Sequence, residues 1–247
     1  MILVDGAMSS RAFGPGVALA PLLAQRFTVF AYDRRGRNNS SDTPPYAVER
    51  EVEDIAALIA EAGQAVYLVG HFSGAALALR AAVAGLKAEK LALYEPPYVT
   101  GGPRPPADAA KQLARLAAAG QRGDTVEYFM VQITGRPAVE VARLRSSPYW
   151  PALEAIAPTL AYDAAMMGDG SLPAWLATIR IPTLVMDGTN SPASRRQSAQ
   201  AVAQALPQAQ YRSLEGKTHD VAADVIAPVL IEFFSAGQDG QSQKDPQ

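Results

Sequence analysis

The chain contains no cysteine and only two histidines, His71 and His219. The absence of cysteine excludes disulfides, a thiolate nucleophile and iron–sulfur clusters, and two imidazoles cannot build a multi-histidine site, so we expect no metal. An excess of charge of one sign is also lacking, because 22 basic and 24 acidic residues give a formal net charge of −2. No global field attracts the chain to nucleic acid or anionic lipid, and we expect neither as a partner.

Long apolar runs are missing as well. No stretch approaches the roughly 18 to 20 apolar residues of a membrane span, and residues 1–6 lack the basic region of a secretory signal. We therefore expect a cytoplasmic protein with no membrane partner. Gly14 and Gly16 follow no convincing strand and lack the third glycine of a dinucleotide-binding turn, so we expect no cofactor.

The sequence alternates between short apolar runs and longer segments of helical period. Runs typical of β-strands lie at residues 2–4, 27–32, 66–69, 91–94, 183–186 and 210–214. Apolar residues at helical spacing predict an amphipathic helix from Val48 to a terminator at Gly63, and residues 73–85 predict a buried helix. This alternation is typical of an α/β fold in which crossover helices join parallel strands.

The strand signals stop between Pro96 and Ile181. The sequence there is rich in alanine and predicts helices near residues 106–119, 124–134, 138–145 and 151–165. An insertion of this size between two strands predicts a helical cap over the carboxyl edge of the sheet, although packing for stability would explain most of its residues equally well. We divide the chain into a core of residues 1–97 and 181–237, a cap of 98–180 and a disordered polar tail of 238–247.

One segment has the layout of a strand, a sharp turn and a helix, with the residues Gly70, His71, Phe72, Ser73 and Gly74 at the turn. In this context the chain resembles the α/β-hydrolase family, whose nucleophile elbow needs small residues two before and two after the nucleophile. Both small positions are glycine, but Phe72 stands where the family's Gly-x-Ser-x-Gly motif places serine. The resemblance covers nearly the whole chain and implies a mostly parallel sheet with helices on both faces and a helical cap.

Two further segments resemble family motifs near the site. Residues 214–220 resemble the turn that carries the triad histidine, which would be His219. Residues 3–7 lie where the family's oxyanion loop follows a central strand. The resemblance implies an oxyanion hole formed by the amide of Ala7 or Met8 with that of Ser73.

The family usually has two strands before the one that opens at Ile2. We therefore expect the first two edge strands to be missing here. Their loss would leave an exposed sheet edge, which is a candidate surface for a homodimer.

The acid that orients the triad histidine has two candidate positions. The loop after the strand at 183–186 offers only Asp187, and the end of the preceding strand offers Glu95. We favour Glu95 as the partner of His219 and keep Asp187 as the alternative. Either carboxylate could instead cap backbone amides in its loop.

An apolar pocket is expected around the elbow. Phe72 would form one wall, His71 would line the pocket without transferring protons, and Trp150 and Trp175 would face it from the cap. Packing within the cap is the alternative for each tryptophan.

The residue at the elbow decides among the functions that the resemblance implies. A benzyl group can neither attack a carbonyl nor be activated, so acyl-enzyme hydrolysis by Phe72 is excluded, and a shift to Ser73 would crowd the turn with a histidine. The favoured hypothesis is a small-molecule enzyme in which His219 and Glu95 perform noncovalent cyclisation, isomerisation, elimination or water activation on an apolar substrate. The alternatives are a ligand-binding or vestigial homologue, and an ester or lactone hydrolase disabled at position 72.

Overall fold

Six strands form the central sheet of the computed structural model, which describes residues 1–236. Their order across the sheet is β2-β1-β3-β4-β5-β6, and every neighbouring pair is parallel. The strands are β1 (Ile2–Val4), β2 (Phe30–Ala31), β3 (Val66–His71), β4 (Ala88–Tyr94), β5 (Thr183–Gly188) and β6 (Ala209–Leu214). The predicted α/β fold is confirmed. The tail predicted at residues 238–247 lies outside the described residues.

The strand predicted at residues 27–32 is wrong in length, because only Phe30 and Ala31 pair with the sheet. They pair with Ile2 and Leu3 of β1. Within residues 1–236, β2 has this one neighbour and forms an edge of the sheet. A strand paired on one side only has fewer ladder hydrogen bonds to hold its ends, which is consistent with its shortness.

Helices flank the sheet on both faces. The α-helices of residues 1–236 are α1 (Pro15–Leu23), α2 (Val48–Ala62), α3 (Ser73–Val83), α4 (Ala109–Ala118), α5 (Arg122–Tyr128), α6 (Ala138–Arg145), α7 (Trp150–Ile156), α8 (Leu160–Met167), α9 (Ala193–Ala205) and α10 (Ala223–Ser235), of which α1, α2, α3, α9 and α10 pack on the sheet. The predicted terminator of α2 is confirmed, since Gly63 adopts a left-handed φ of 67° and its amide donates to the carbonyl of Ile59. Within residues 1–236, no helix combines the length and apolar character that crossing a membrane requires.

Side chains alternate across the sheet and feed two apolar clusters, one on each face. In β1, Ile2 and Val4 join the cluster formed with α2, α3 and α9, whereas Leu3 joins the cluster formed with α1 and α10. Such two-sided burial explains why the central strands β1, β3 and β5 appear in the sequence as apolar runs. The carboxyl ends of these strands converge at one edge of the sheet, where ligands bind in open parallel sheets.

Helices α4 to α8 occupy the segment between β4 and β5 and enclose a third apolar cluster, to which Phe72 of the core contributes. The single helix predicted at residues 151–165 is wrong, because a 3₁₀ turn at Ala157–Thr159 separates α7 from α8. Pro158 lies in this turn, and a proline cannot donate the amide hydrogen bond that a continuous helix needs. Helix α5 continues as a π-helical turn at Phe129–Ile133.

Candidate active site

Phe72 lies at the sharp turn between β3 and α3, with φ 51° and ψ −118°. A non-glycine residue rarely adopts a positive φ, and such strain persists only where surrounding contacts fix it. Here the Phe72 amide donates to the carbonyl of Tyr94 at 3.0 Å. A Cβ on Gly74 would lie 1.9 Å from the carbonyl oxygen of Val4, and one on Gly70 would lie 2.5 Å from the backbone of α3. Both flanking glycines are therefore required by close backbone approach.

The Phe72 side chain is 8% exposed and contributes to the third apolar cluster. Its ring meets the imidazole of His219 edge to face, with the ring centroids 5.5 Å apart. The guanidinium of Arg195 lies 4.8 Å from the centroid of the same ring. An apolar ring thus fills the position at the elbow and touches both an imidazole and a cation.

His219 pairs with Glu95, whose backbone adopts a φ of 46° directly after β4. Nδ1 of the imidazole lies 2.6 Å from Oε2 of the carboxylate, and Glu95 is 1% exposed. The hydroxyl of Ser191 donates to the other oxygen, Oε1. Because an ionised carboxylate only accepts hydrogen bonds, Nδ1 carries the proton, and Nε2 is the ring nitrogen left to accept one.

The charge of Glu95 is maintained by its neighbours. Burial alone would raise the pKa of this carboxyl, but the hydrogen bond and charge of His219, the Ser191 hydroxyl and the Arg195 guanidinium bring it below the ordinary value. Glu95 is therefore ionised at neutral pH, as a carboxylate that orients an imidazole must be.

Asp187 lies elsewhere. It is fully buried at the end of β5, and its carboxylate accepts hydrogen bonds from the hydroxyls of Tyr211, at 2.7 Å, and Ser213. Both donors belong to β6, so the carboxylate is turned toward the neighbouring strand. Of the two acids that the sequence offers, Glu95 is the one in contact with His219.

His71 supports the loop that carries His219. Its Nε2 lies 3.3 Å from the carbonyl oxygen of His219, and its ring stacks on Tyr94. Burial, followed by the nearby charge of His219, lowers the pKa of His71 to about 3. The ring is therefore neutral at physiological pH. The Tyr94 hydroxyl donates to the carbonyl of Thr218 at 2.6 Å and holds the same loop.

The loop after β1 is tied to the elbow by Ser73. The amide of Ala7 donates to Ser73 Oγ at 2.8 Å, and that hydroxyl donates to Asp163 at 2.7 Å. Ser73 is completely buried, so its hydroxyl is committed to Asp163. Met8, with a φ of 58°, lies at the wall of the cavity described below.

A cavity of about 540 Å³ lies between the elbow, the His219 loop and the segment from the π-helical turn to α6. Among its lining residues are Ala7, Met8, His71, Phe72, Phe129 and His219. The structure does not bring the two tryptophans to it. Trp150 packs in the third apolar cluster and donates to Glu154 at 2.8 Å, and the ring of Trp175 lies beneath the guanidinium of Arg80.

Sequence reasoning missed Ser191 and Arg195, both of which contact Glu95. It also missed Arg136, which lines the cavity. The available signal was the position of Ser191 and Arg195 just after β5, where the carboxyl edge of a parallel sheet gathers functional side chains. That signal predicts where in the fold the two residues lie, but it does not predict where their side chains point.

A second group of charges lies behind the elbow. This group, the Asp163 cluster, consists of Arg34, Arg37, Glu51, Ser73 and Asp163, all buried. Arg34 lies 2.7 Å from Oδ1 of Asp163 and 2.6 Å from Glu51, and Arg37 lies 2.6 Å from Oδ2 of Asp163. Burial would raise the pKa of Asp163, but the two guanidiniums and Ser73 lower it below the ordinary value. The cluster fastens α8 to the core.

The fold and the elbow together define an α/β hydrolase. The model of the alpha/beta hydrolase family matches residues 5–229, so the chain belongs to this family. No curated protein matches the chain.

Solved structures place the chain within this family more closely. An alpha/beta hydrolase from Sphaerobacter thermophilus DSM 20745 is 53% identical, with a TM-score of 0.88 over 94% of this chain and 91% of that chain. A hydrolase from Pseudomonas aeruginosa PA01 is 23% identical, with a TM-score of 0.72 over 95% and 89% of the two chains. The 2-hydroxy-6-oxo-6-phenylhexa-2,4-dienoate hydrolase of Rhodococcus sp. strain RHA1 is 22% identical, with a TM-score of 0.65 over 95% and 90%. The last two share the fold.

Proposed function

We propose that the chain is a small-molecule enzyme in which His219 and Glu95 perform noncovalent acid/base chemistry on an apolar substrate bound in the cavity. The observation that carries this proposal is the 2.6 Å contact between His219 Nδ1 and the buried carboxylate of Glu95, made by a ring that also lines the cavity. A carboxylate in this position fixes the tautomer of the imidazole and stabilises the imidazolium that forms when Nε2 takes a proton.

The side chains at the elbow favour a route without a covalent intermediate. Phe72 has no group that attacks a carbonyl, and the Ser73 hydroxyl is buried and bonded to Asp163. In the proposed chemistry, Nε2 of His219 takes a proton from a carbon acid or from water. A carbon acid leads to isomerisation, elimination or cyclisation, whereas water adds its oxygen to an electrophilic carbon and His219 returns the proton to the leaving group.

One wall of the cavity is apolar and supports a substrate with an apolar body. Phe72, Phe129 and Met130 line the cavity beside His219. Burial of a hydrocarbon or aromatic body against them is favourable by about 25 cal/mol per Å² of apolar surface. Exclusion of water around His219 would also strengthen its interaction with Glu95.

A proton-abstraction probe tests the proposal directly. 5-Nitrobenzisoxazole loses its carbon-bound proton to a base while its N–O bond breaks, which releases a coloured cyanophenolate without any nucleophile. We expect the protein to accelerate this elimination above the buffer rate and His219→Ala to abolish the acceleration. A rate that is unchanged by His219→Ala would overturn the proposal.

The two alternatives are separated by p-nitrophenyl acetate. If the protein is a disabled esterase, Phe72→Ser will gain hydrolysis of this ester with a burst of nitrophenolate, and the double variant with His219→Ala will lose it. If it is a ligand-binding homologue, neither probe will react with the protein or with Phe72→Ser, although apolar ligands will bind. Under the proposal, the elimination proceeds with phenylalanine in place at position 72.

A further inference from the structure

Arg195 is a cation in the wall of the cavity whose side chain is only 19% exposed. Its Nε lies 3.6 Å from Oε2 of Glu95, and within residues 1–236 its guanidinium makes this one ion pair and no hydrogen bond. The Glu95 oxygens already accept from Ser191 and His219. A guanidinium has five N–H groups, and no nitrogen of Arg195 is among the fully buried unpaired atoms of residues 1–236. Arg195 therefore has donor capacity that faces the cavity.

Arg136 brings a second guanidinium to the same cavity, from the segment before α6. Its side chain is exposed, and it has no ion pair to any of residues 1–236. Burial lowers the pKa of Arg195 and outweighs the opposing charge of Glu95, and the charge of Arg136 in the same cavity wall also lowers it. Glu140 and Asp220 also line the cavity, but both are exposed, so solvent weakens their compensation.

We propose that Arg195 and Arg136 form a carboxylate-binding subsite, so that the natural ligand is a small organic acid whose apolar body lies against Phe72 and Phe129. A carboxylate fits this position because it accepts two parallel hydrogen bonds from one guanidinium and relieves the repulsion between two. The inference rests on the proposed function only in taking the cavity as the ligand site. It assigns the anionic group to the arginines and leaves proton transfer to His219.

Two probes of the same shape test the subsite. 3-Phenylpropanoate and 3-phenylpropanamide share an aromatic body and differ in charge, and their dissociation constants can be measured by calorimetry at low salt. We expect the protein to bind the acid about tenfold more tightly than the amide, since a charge-assisted pair contributes about twice what a neutral hydrogen bond does. Arg195→Gln should bring the two constants within about twofold of each other, and Arg195→Lys should keep part of the preference.

Arg136→Gln should reduce the preference for the acid over the amide about threefold. This effect is smaller than that of Arg195→Gln because the Arg136 side chain is exposed. Arg143→Gln, which removes an exposed arginine of α6 outside the cavity lining, is the matched control and should leave the preference unchanged. Both side chains are exposed, so neither substitution removes a buried group, and their results do not depend on whether the Arg195 variants fold.

Several outcomes would overturn the subsite. They are equal binding of the acid and the amide, binding of neither probe at millimolar concentration, or a preference for the acid that survives in both Arg195→Gln and Arg136→Gln. The proposed function fails separately. If His219→Ala leaves the elimination rate unchanged while Arg195→Gln removes the preference for the acid, the subsite stands and the acid/base proposal falls. If the rate depends on His219 but the acid is not preferred, the acid/base proposal stands and the subsite falls.

Discussion

Two buried ionic groups lie on either side of the elbow, and they differ in how their charges are satisfied. In the Asp163 cluster, both oxygens of the central carboxylate meet a guanidinium, and Ser73 adds a further hydrogen bond. In the pair formed by His219 and Glu95, the carboxylate is equally buried, but the imidazole also lines the cavity. We call the Asp163 cluster the closed group, because its charges are satisfied within it. We call the pair of His219 and Glu95 the open group, because its imidazole also lines the cavity.

This difference matches the structural role that we infer for the Asp163 cluster and the catalytic role that we propose for His219 and Glu95. A buried ion pair contributes little net stability compared with apolar packing, but removing one partner is strongly destabilising because the other charge remains uncompensated. The Asp163 cluster joins α8 to the core in this way. The Glu95 group instead places the second ring nitrogen of His219 and an incompletely bonded guanidinium beside a cavity, which is the arrangement expected of a reaction or binding site.

The largest effect is expected from breaking the closed group. Asp163→Ala leaves Arg34 and Arg37 buried without their shared carboxylate, so we expect the free energy of unfolding to fall by about 3 to 5 kcal/mol. Urea unfolding followed by circular dichroism measures the change.

Asp169→Ala provides the matched control for this prediction. Asp169 also pairs with an arginine, Arg104, but both side chains are more than half exposed. We expect a much smaller change than for Asp163→Ala, because exposed ion pairs contribute little. An equal fall in the free energy of unfolding of the two variants would show that burial does not increase the cost of removing Asp163.

In the open group, a substitution should change the rate of the proposed reaction. Glu95→Gln keeps an acceptor near Nδ1 but removes the charge that stabilises the imidazolium, so we expect elimination of 5-nitrobenzisoxazole to slow by roughly tenfold or more. Asp187→Asn is the control, since Asp187 contacts Tyr211 and Ser213 and should leave the rate within about twofold. If Asp187→Asn slows the reaction as much as Glu95→Gln does, the contact seen between His219 and Glu95 does not govern the chemistry.

The parts of the molecule that depend on chain-local pattern were predictable from the sequence. Apolar runs located the central strands β1, β3 and β5 because both faces of the sheet are buried there. The resemblance to the α/β-hydrolase family then assigned Glu95 and His219 to one site. Gly70 and Gly74 marked the elbow because the backbones approach too closely there for any side chain.

The remaining contacts depend on how distant elements are rotated against each other. Asp163 meets Arg34 only because α8 docks on the loop after β2, and no sequence periodicity specifies that docking. Trp150 and Trp175 lie on helices of an alanine-rich segment, and such a sequence does not show which face of a helix points inward. Their positions relative to the cavity were therefore not predictable. Arg195 was missed because the direction of a side chain at a helix start follows from packing rather than from propensity.

A fall in pH should gradually remove the stability that the carboxylates of both groups contribute. The pKa of Glu95 and that of Asp163 lie below their ordinary values in the folded state. Each carboxylate therefore contributes stability above its unfolded pKa, near 4, and this contribution is lost as the pH falls through the folded pKa. Urea unfolding between pH 5 and pH 2 should show a shallower decline for Glu95→Gln than for the unsubstituted protein. A parallel decline would mean that Glu95 does not bind its proton more weakly when folded.

A last expected effect concerns His71, which sharpens the comparison because it is an imidazole beside the open group without a carboxylate partner. Its folded pKa is about 3, so below pH 6.5 the unfolded chain binds a proton that the folded chain excludes. Stability is thus lost gradually as the pH falls from about 6.5 to 3. Long-range ¹H–¹⁵N spectra of the two imidazoles, assigned with His219→Asn, should show the His71 ring neutral at pH 5. A midpoint near 6.5 for that ring would mean that burial does not keep it neutral. The backbone carbonyl beside His71 and the carboxylate beside His219 would then not give the two histidines different roles.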